Sequence, residues 1–146
     1  MKISRIEKSS ERWNELINYA QSCSWVAGRH LASMMEQNAF TEWESVFAVV
    51  SKDKIIGFCT FLKTDYYPEN RYSPWISSIF VDESYRGNRI SEKMIEAVIE
   101  YEKEQGFSKV YIPSDMIGFY EKYGFVKIDE LQNYSGDIDN VFAKEI

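Results

Sequence analysis

A chain of 146 residues has the length of one domain, enough to bury a hydrophobic core without help from disulfides or a structural metal. Hydrophobic residues make up 45% and charged residues 27%, which excludes a disordered chain, and a net charge of −6 opposes nucleic acid and anionic membranes while mildly attracting a cationic amine. Cys23 and Cys59 have no CxxC spacing, His30 is the lone histidine, and neither a membrane span nor a signal peptide is readable, so a single cytoplasmic domain over 1–146 without a metal site is expected.

In chain order, Lys2 to Ile6 reads as a first strand, and Ser9 or Ser10 offers an N-cap for a helix whose inner face is Trp13, Leu16, Ile17 and Ala20. A second helix follows Trp25, with Ala27, Leu31, Met34 and Met35 at helical spacing. Val46 to Val50 and Ile55 to Leu62 are rich in β-branched and aromatic residues, and Ser51-Lys52-Asp53-Lys54 joins them as a hairpin. Beyond a loop at Tyr66, Tyr67 and Pro68, a strand runs from Trp75 to Val81 and ends at the acidic turn Asp82-Glu83-Ser84. From Ile90 the period changes: Ile90, Met94, Ala97, Val98 and Tyr101 make one stripe, Ile95 and Ile99 widen it, and Gly106 closes the helix. Val110 to Ile112 reads as a buried strand, Met116 to Tyr123 as a short helix stopped by Gly124, and Phe125 to Ile128 and Val141 to Ile146 as closing strands. The order β-α-α-β-β-β-α-β-α-β-β describes a mixed sheet flanked by helices.

The segment Val81 to Ser91 joins an apolar strand to an amphipathic helix. The first turn of a helix carries unpaired N–H groups and partial positive charge, so it can hold a phosphate if the loop before it permits approach. Gly87 permits approach, and Arg86 and Arg89 add full charge; taken alone, the same residues also describe a solvated turn. Further along stands Gly118-Phe119-Tyr120-Glu121-Lys122-Tyr123-Gly124-Phe125, a short helix ending at glycine and entering a strand.

Together the two segments, and the order of elements, resemble the GNAT superfamily of acyl-CoA-dependent N-acetyltransferases. In that family a strand, an R-x-x-G-x-G/A loop and a helix bind the pyrophosphate and pantetheine, and a later helix carries a Tyr followed by E-K-x-G-F. Arg86 stands at the first motif position, and Phe119 to Phe125 matches the second motif. Arg89 and Ser91 stand where the family has Gly and Gly or Ala. A side chain at 89 disfavours φ > 0, so a regular right-handed start is expected, with the Arg89 guanidinium reaching phosphate from the side.

The resemblance implies an α/β (α+β) fold, its mixed and mostly antiparallel central sheet flanked by about four helices. It also implies acetyl-coenzyme A as cosubstrate, no metal, and a primary amine of a small molecule as acceptor, with direct transfer through a ternary complex. Cofactor contacts are expected from Ile79, Phe80 and Val81, from Arg86, Gly87, Asn88, Arg89, Ile90 and Ser91, and from Ser114, Phe119 and Lys122. Backbone N–H near Phe80 and Val81 is expected to meet the oxyanion, and Tyr120 to assist the departing thiolate. With reference pKa values of about 10 for Tyr and about 8.5 for a thiol, full proton donation is uphill by roughly 2 kcal/mol, so Tyr120 acts by hydrogen bonding as much as by protonation.

Trp25, Tyr66, Tyr72 and Trp75, with Tyr67 beside them, can box a cationic amine, or serve equally as core or dimer surface. The Trp75 to Val81 strand has no carboxylate, which leaves Asp115, Glu69 and Asp65 as candidate bases, directly or through water. Competing readings are acetylation of a protein N-terminus or lysine, and a coenzyme A-binding regulator without catalysis. A Cys59/His30 enzyme is disfavoured because Cys59 falls in a buried strand pattern. The oligomeric state stays open, a homodimer included.

Overall fold

A computed structural model describes all 146 residues. The strands are β1 (Lys2–Arg5), β2 (Ser45–Ser51), β3 (Lys54–Leu62), β4 (Trp75–Val81), β5 (Lys109–Ser114), β6 (Val126–Gln132) and β7 (Ile138–Glu145). The helices are α1 (Glu11–Ser22), α2 (Ala27–Glu36) and α3 (Ile90–Glu104), with short 3₁₀ turns at Glu83–Tyr85 and Tyr120–Tyr123. None of the helices is long and apolar enough to cross a membrane.

The seven strands form one sheet in the order β1-β2-β3-β4-β5-β7-β6, antiparallel throughout except between β4 and β5. The β2–β3 hairpin turns through Lys52 and Asp53, both at positive φ (50° and 64°), as the right-handed strand twist requires of a two-residue turn. Val126–Gln132 and Ile138–Glu145 make a longer closing hairpin than the apolar runs indicate, turning at Gly136 with φ 90°.

Three α-helices replace the four expected. The segment before Tyr120 is not helical: Gly118 sits at φ 90°, its N–H is held by the Glu121 carboxylate at 3.0 Å, and Met116 and Ile117 are exposed. Ser10 does occupy the N-cap position of α1, but its hydroxyl donates to the Glu7 carbonyl instead of accepting from the helix. The buried stripe of α2 is Gly28, Leu31, Ala32 and Met35, one step round from the expected face.

Period-two alternation splits the core between the two faces of the sheet. On one face α3 packs Met94, Ile95 and Val98 against Phe61, Ile76 and Phe142. On the other, α1 and α2 pack Leu16, Leu31 and Met35 against Phe58 and Phe80. Trp75 follows the same alternation away from Ile76 and forms a separate cluster with Tyr67, Leu131 and Val141. Among the buried polar residues one carboxylate breaks the pattern: Glu102, on the inner side of α3, is fully buried with neither carboxylate oxygen hydrogen-bonded, and burial pushes its pKa up to about 8.

Candidate active site: a cleft where the sheet splits

β4 and β5 pair at a single register position, Trp75↔Tyr111, and then part. The separation begins at a bulge: Ser78 has φ 51°, and the β3–β4 register slips between Phe58 and Thr60. Gly57 lies against this stretch so closely that a Cβ there would stand 2.6 Å from the Phe80 carbonyl oxygen. The gap forms a cleft of about 750 Å³, walled by Ile79, Phe80 and Val81 on one side and Phe119, Tyr120 and Tyr123 on the other.

Backbone polarity along β4 decides which groups face this gap. The Asp82 N–H donates to the Ile56 carbonyl at 2.7 Å, toward β3, so alternation turns the polar groups of Val81 toward the cleft and those of Phe80 back to β3. Of the pair expected to offer oxyanion donors, only Val81 is therefore free to do so. The Val81 carbonyl is taken by Arg86 Nε at 3.0 Å, which folds the guanidinium to 5.7 Å from the Phe80 ring centre.

At the cleft's other end lies the start of α3. The backbone N–H groups of Gly87 through Glu92 have no protein acceptor, and the next bond of the helix runs from Lys93 N–H to the Arg89 carbonyl. Gly87 has φ 88° with open space around it, so a ligand can approach the backbone there. The Asn88 side chain ties the loop by donating to the Tyr85 carbonyl at 3.0 Å, and Asp82 accepts from Ser84 N–H to hold the preceding turn.

Arg89 departs from expectation. It adopts φ 57°, ψ 30°, the left-handed region, and its Nε donates to Glu92 at 2.7 Å. The loop thus keeps the backbone course that a glycine would follow, with the side chain turned onto the helix, at a cost of about 1 kcal/mol. A run of free amides, rather than a reaching guanidinium, is the feature the loop presents.

Tyr120 is 6% exposed, packed edge-on to Phe119 at 5.0 Å and beside Phe125 and Phe142, yet its hydroxyl has no protein hydrogen-bond partner. Burial, followed by nearby Tyr123, Cys59 and Asp115, pushes its pKa up to about 12. Cys59 itself is wholly buried with its thiol pushed up to about 12 by burial, and it is no nucleophile.

The structure brings together Ile79, Phe80, Val81, Arg86, Gly87, Arg89, Ile90, Ser91, Phe119, Tyr120 and Trp25 around the one cleft. Asn88, Ser114 and Lys122 do not line it: the Asn88 side chain is spent on the Tyr85 carbonyl, the Ser114 hydroxyl accepts from Met116 N–H, and Lys122 points to solvent. Among the aromatics assigned to the acceptor, Trp25 alone borders the cleft, stacked on Phe80 at 6.1 Å and 13°. Trp75 has no exposed surface, being covered by Tyr67, Tyr72 and Tyr111. Tyr72 is anchored to Asp129 by a 2.6 Å hydrogen bond, and Tyr66 lies outside, against Tyr134. Sequence reading missed Ser24, Glu83, Tyr85, Met116 and Tyr123 as wall residues; Tyr85 and Tyr123 stood inside the two motif segments.

A family model described as the acetyltransferase (GNAT) family matches residues 11–125. N-alpha-acetyltransferase 30 of Schizosaccharomyces pombe is 24% identical over 99 residues, 64% of this chain and 65% of that protein's length. Among solved structures, an aminoglycoside 6'-acetyltransferase type Ii superposes with a TM-score of 0.76 at 21% identity, covering 99% of this chain and 97% of the other. A GNAT family acetyltransferase from Elizabethkingia anophelis with acetyl-CoA bound gives 0.68 at 16% identity, covering 99% and 97%.

Proposed function

The chain belongs to the acetyltransferase (GNAT) family, and from that premise we propose that it moves an acetyl group from acetyl-coenzyme A directly to a primary amine of a small molecule. The observation that carries this reading is a single cleft with the free N–H groups of Gly87 to Glu92 at one end and the unpartnered Tyr120 hydroxyl on its wall. The first can hold the cofactor's diphosphate through backbone donors and the helix's partial charge. The apolar walls, Ile79 and Val81 facing Phe119, suit a pantetheine chain between them.

The Val81 N–H, turned into the gap, is the donor available to a developing oxyanion. Tyr120 hydrogen-bonds the departing sulfur. Its pKa of about 12 lies above that of a thiol, about 8.5, by about 5 kcal/mol, so it holds its proton and stabilises the thiolate without giving that proton up. Trp25 forms the entry wall for the acceptor.

The likeness to N-alpha-acetyltransferase 30 favours a second reading, in which the amine is a peptide N-terminus. Thiol release from acetyl-coenzyme A, followed with polyamines, amino acids, aminoglycosides and peptides, separates the two. Coenzyme A binding by calorimetry without release to any amine points to the regulatory module, and absence of binding overturns the proposal.

A further inference from the structure

Acetyl transfer to an amine needs a proton acceptor, and β4 carries no carboxylate to serve as one. Glu69 is bound to Arg71 at 2.5 Å, and Asp115 is exposed on the thiolate side of the cleft, beside Tyr120. A polar seam does cross the opposite face of the sheet, between the cluster around Phe80 and the cluster around Trp75. Thr60 and Ser77 are both buried there, and the Thr60 hydroxyl donates to the Ser77 carbonyl at 3.0 Å. The Ser77 hydroxyl in turn donates to Asp65 Oδ2, from the loop between β3 and β4.

Ser77 stands two residues past Trp75, the last point where β4 pairs with β5, and two before Ile79, which lines the cleft. Ser77 is buried and not itself on the cleft wall; at about 3.3 Å per residue it stands about 7 Å along β4 from Ile79, a gap that one water molecule can bridge. Its proton is committed to Asp65, while nothing in the protein donates to its own lone pairs. A hydroxyl in that state can accept a proton on one side as it passes one on at the other.

Resting on the acyl-transfer reading above, we infer that Asp65, acting through Ser77, takes the proton from the acceptor amine. The amine nitrogen attacks the thioester carbonyl carbon, the C–N bond forms, and the C–S bond breaks with its electron pair leaving on sulfur. The amine proton passes through a bridging water to Ser77 Oγ as the Ser77 proton passes to Asp65, and solvent later protonates the thiolate and deprotonates Asp65. Burial raises the Asp65 pKa above its ordinary value, and Asp139 adds to the rise. The Ser77 hydrogen bond, then the Tyr66 N–H at 2.7 Å and His30 on α2, act in the opposite direction. Asn70 touches only the backbone N–H of Asp65, and Tyr67 is engaged with Asp139 at 2.9 Å.

The test is kcat against pH for acetyl transfer to spermidine, kanamycin and a short peptide with a free N-terminus, in the wild type and in Asp65→Asn, Asp65→Glu, Ser77→Ala and Ser77→Thr. Asp65→Asn should lower kcat by about 100-fold and remove the fall in kcat on the acid side, with coenzyme A affinity unchanged. Ser77→Ala should lose about 10-fold, and Ser77→Thr and Asp65→Glu should recover part of each loss. An Asp65→Asn variant that folds and keeps the wild-type kcat and pH profile overturns the inference, as does a wild type that binds coenzyme A but acetylates none of the three amines. A wild type that binds no coenzyme A sinks the acyl-transfer reading itself.

Discussion

Two tryptophans that look alike in the sequence end up in opposite surroundings. Trp75 is 0% exposed, with tyrosines over it and even its indole N–H buried without a partner. Trp25 is 38% exposed, with one face on Phe80 and the cleft beside it. The closed aromatic layer around Trp75 holds the seam between β4 and β5 together where they still pair, and the open wall around Trp25 begins where they have parted. Packing on every side contributes stability; a side left uncovered is available to a ligand.

The sharpest way to break this contrast is Trp75→Ala, which should cost about 4 kcal/mol and lower the melting temperature markedly, without altering coenzyme A affinity of the protein that remains folded. A ligand effect larger than the stability effect would place Trp75 in the site after all. Closed packing can also be tested where it encloses the wrong chemistry. Glu102 favours its neutral form in the fold, with a pKa of about 8 against an ordinary 4.5, so its penalty is absent below the lower value, grows between the two and is constant above. Chemical denaturation should therefore show wild-type stability falling from pH 4.5 to pH 8, and Glu102→Met should flatten the fall and add roughly 3 kcal/mol at neutral pH.

On the open side the readout moves from stability to turnover. Tyr120→Phe removes a hydroxyl that no protein group uses, so the melting temperature should hold while kcat drops at least about tenfold, about 1.4 kcal/mol, with little change in the acetyl-coenzyme A KM. The smallest effect is expected from Trp25→Ala: stability within about 1 kcal/mol of wild type, and an acceptor KM raised by a factor of about 5. If the unfolding free energy fell as far as in Trp75→Ala, the two regions would not differ in the way described.

What the sequence disclosed tracks what is local. Apolar runs rich in β-branched and aromatic residues located β2, β3 and β4, and the stripe from Ile90 to Tyr101 located α3, because each pattern lies within one element. Gly87 was readable as a point of backbone approach before α3, and the stretch from Phe119 to Phe125 through its likeness to a family motif. Arg89 was misread because an isolated residue of that type avoids the left-handed region, and only the joined strand, loop and helix force it there. Trp75 was misread because its cover comes from Tyr67, Tyr111 and Val141, residues distant in the chain. Asp65 and Ser77 stand twelve positions apart on a loop and a strand, so their hydrogen bond has no sequence signature.

Gly57 never reaches the cleft, yet it governs how wide the cleft can be. Its missing side chain lets β4 settle against β3 at the bulge, and even a methyl group there would press on the Phe80 backbone and push the strand toward β5. The aperture is thus gauged from behind, by a shim of zero thickness on the neighbouring strand. A substitution at that position would alter which guests fit without changing any residue they touch.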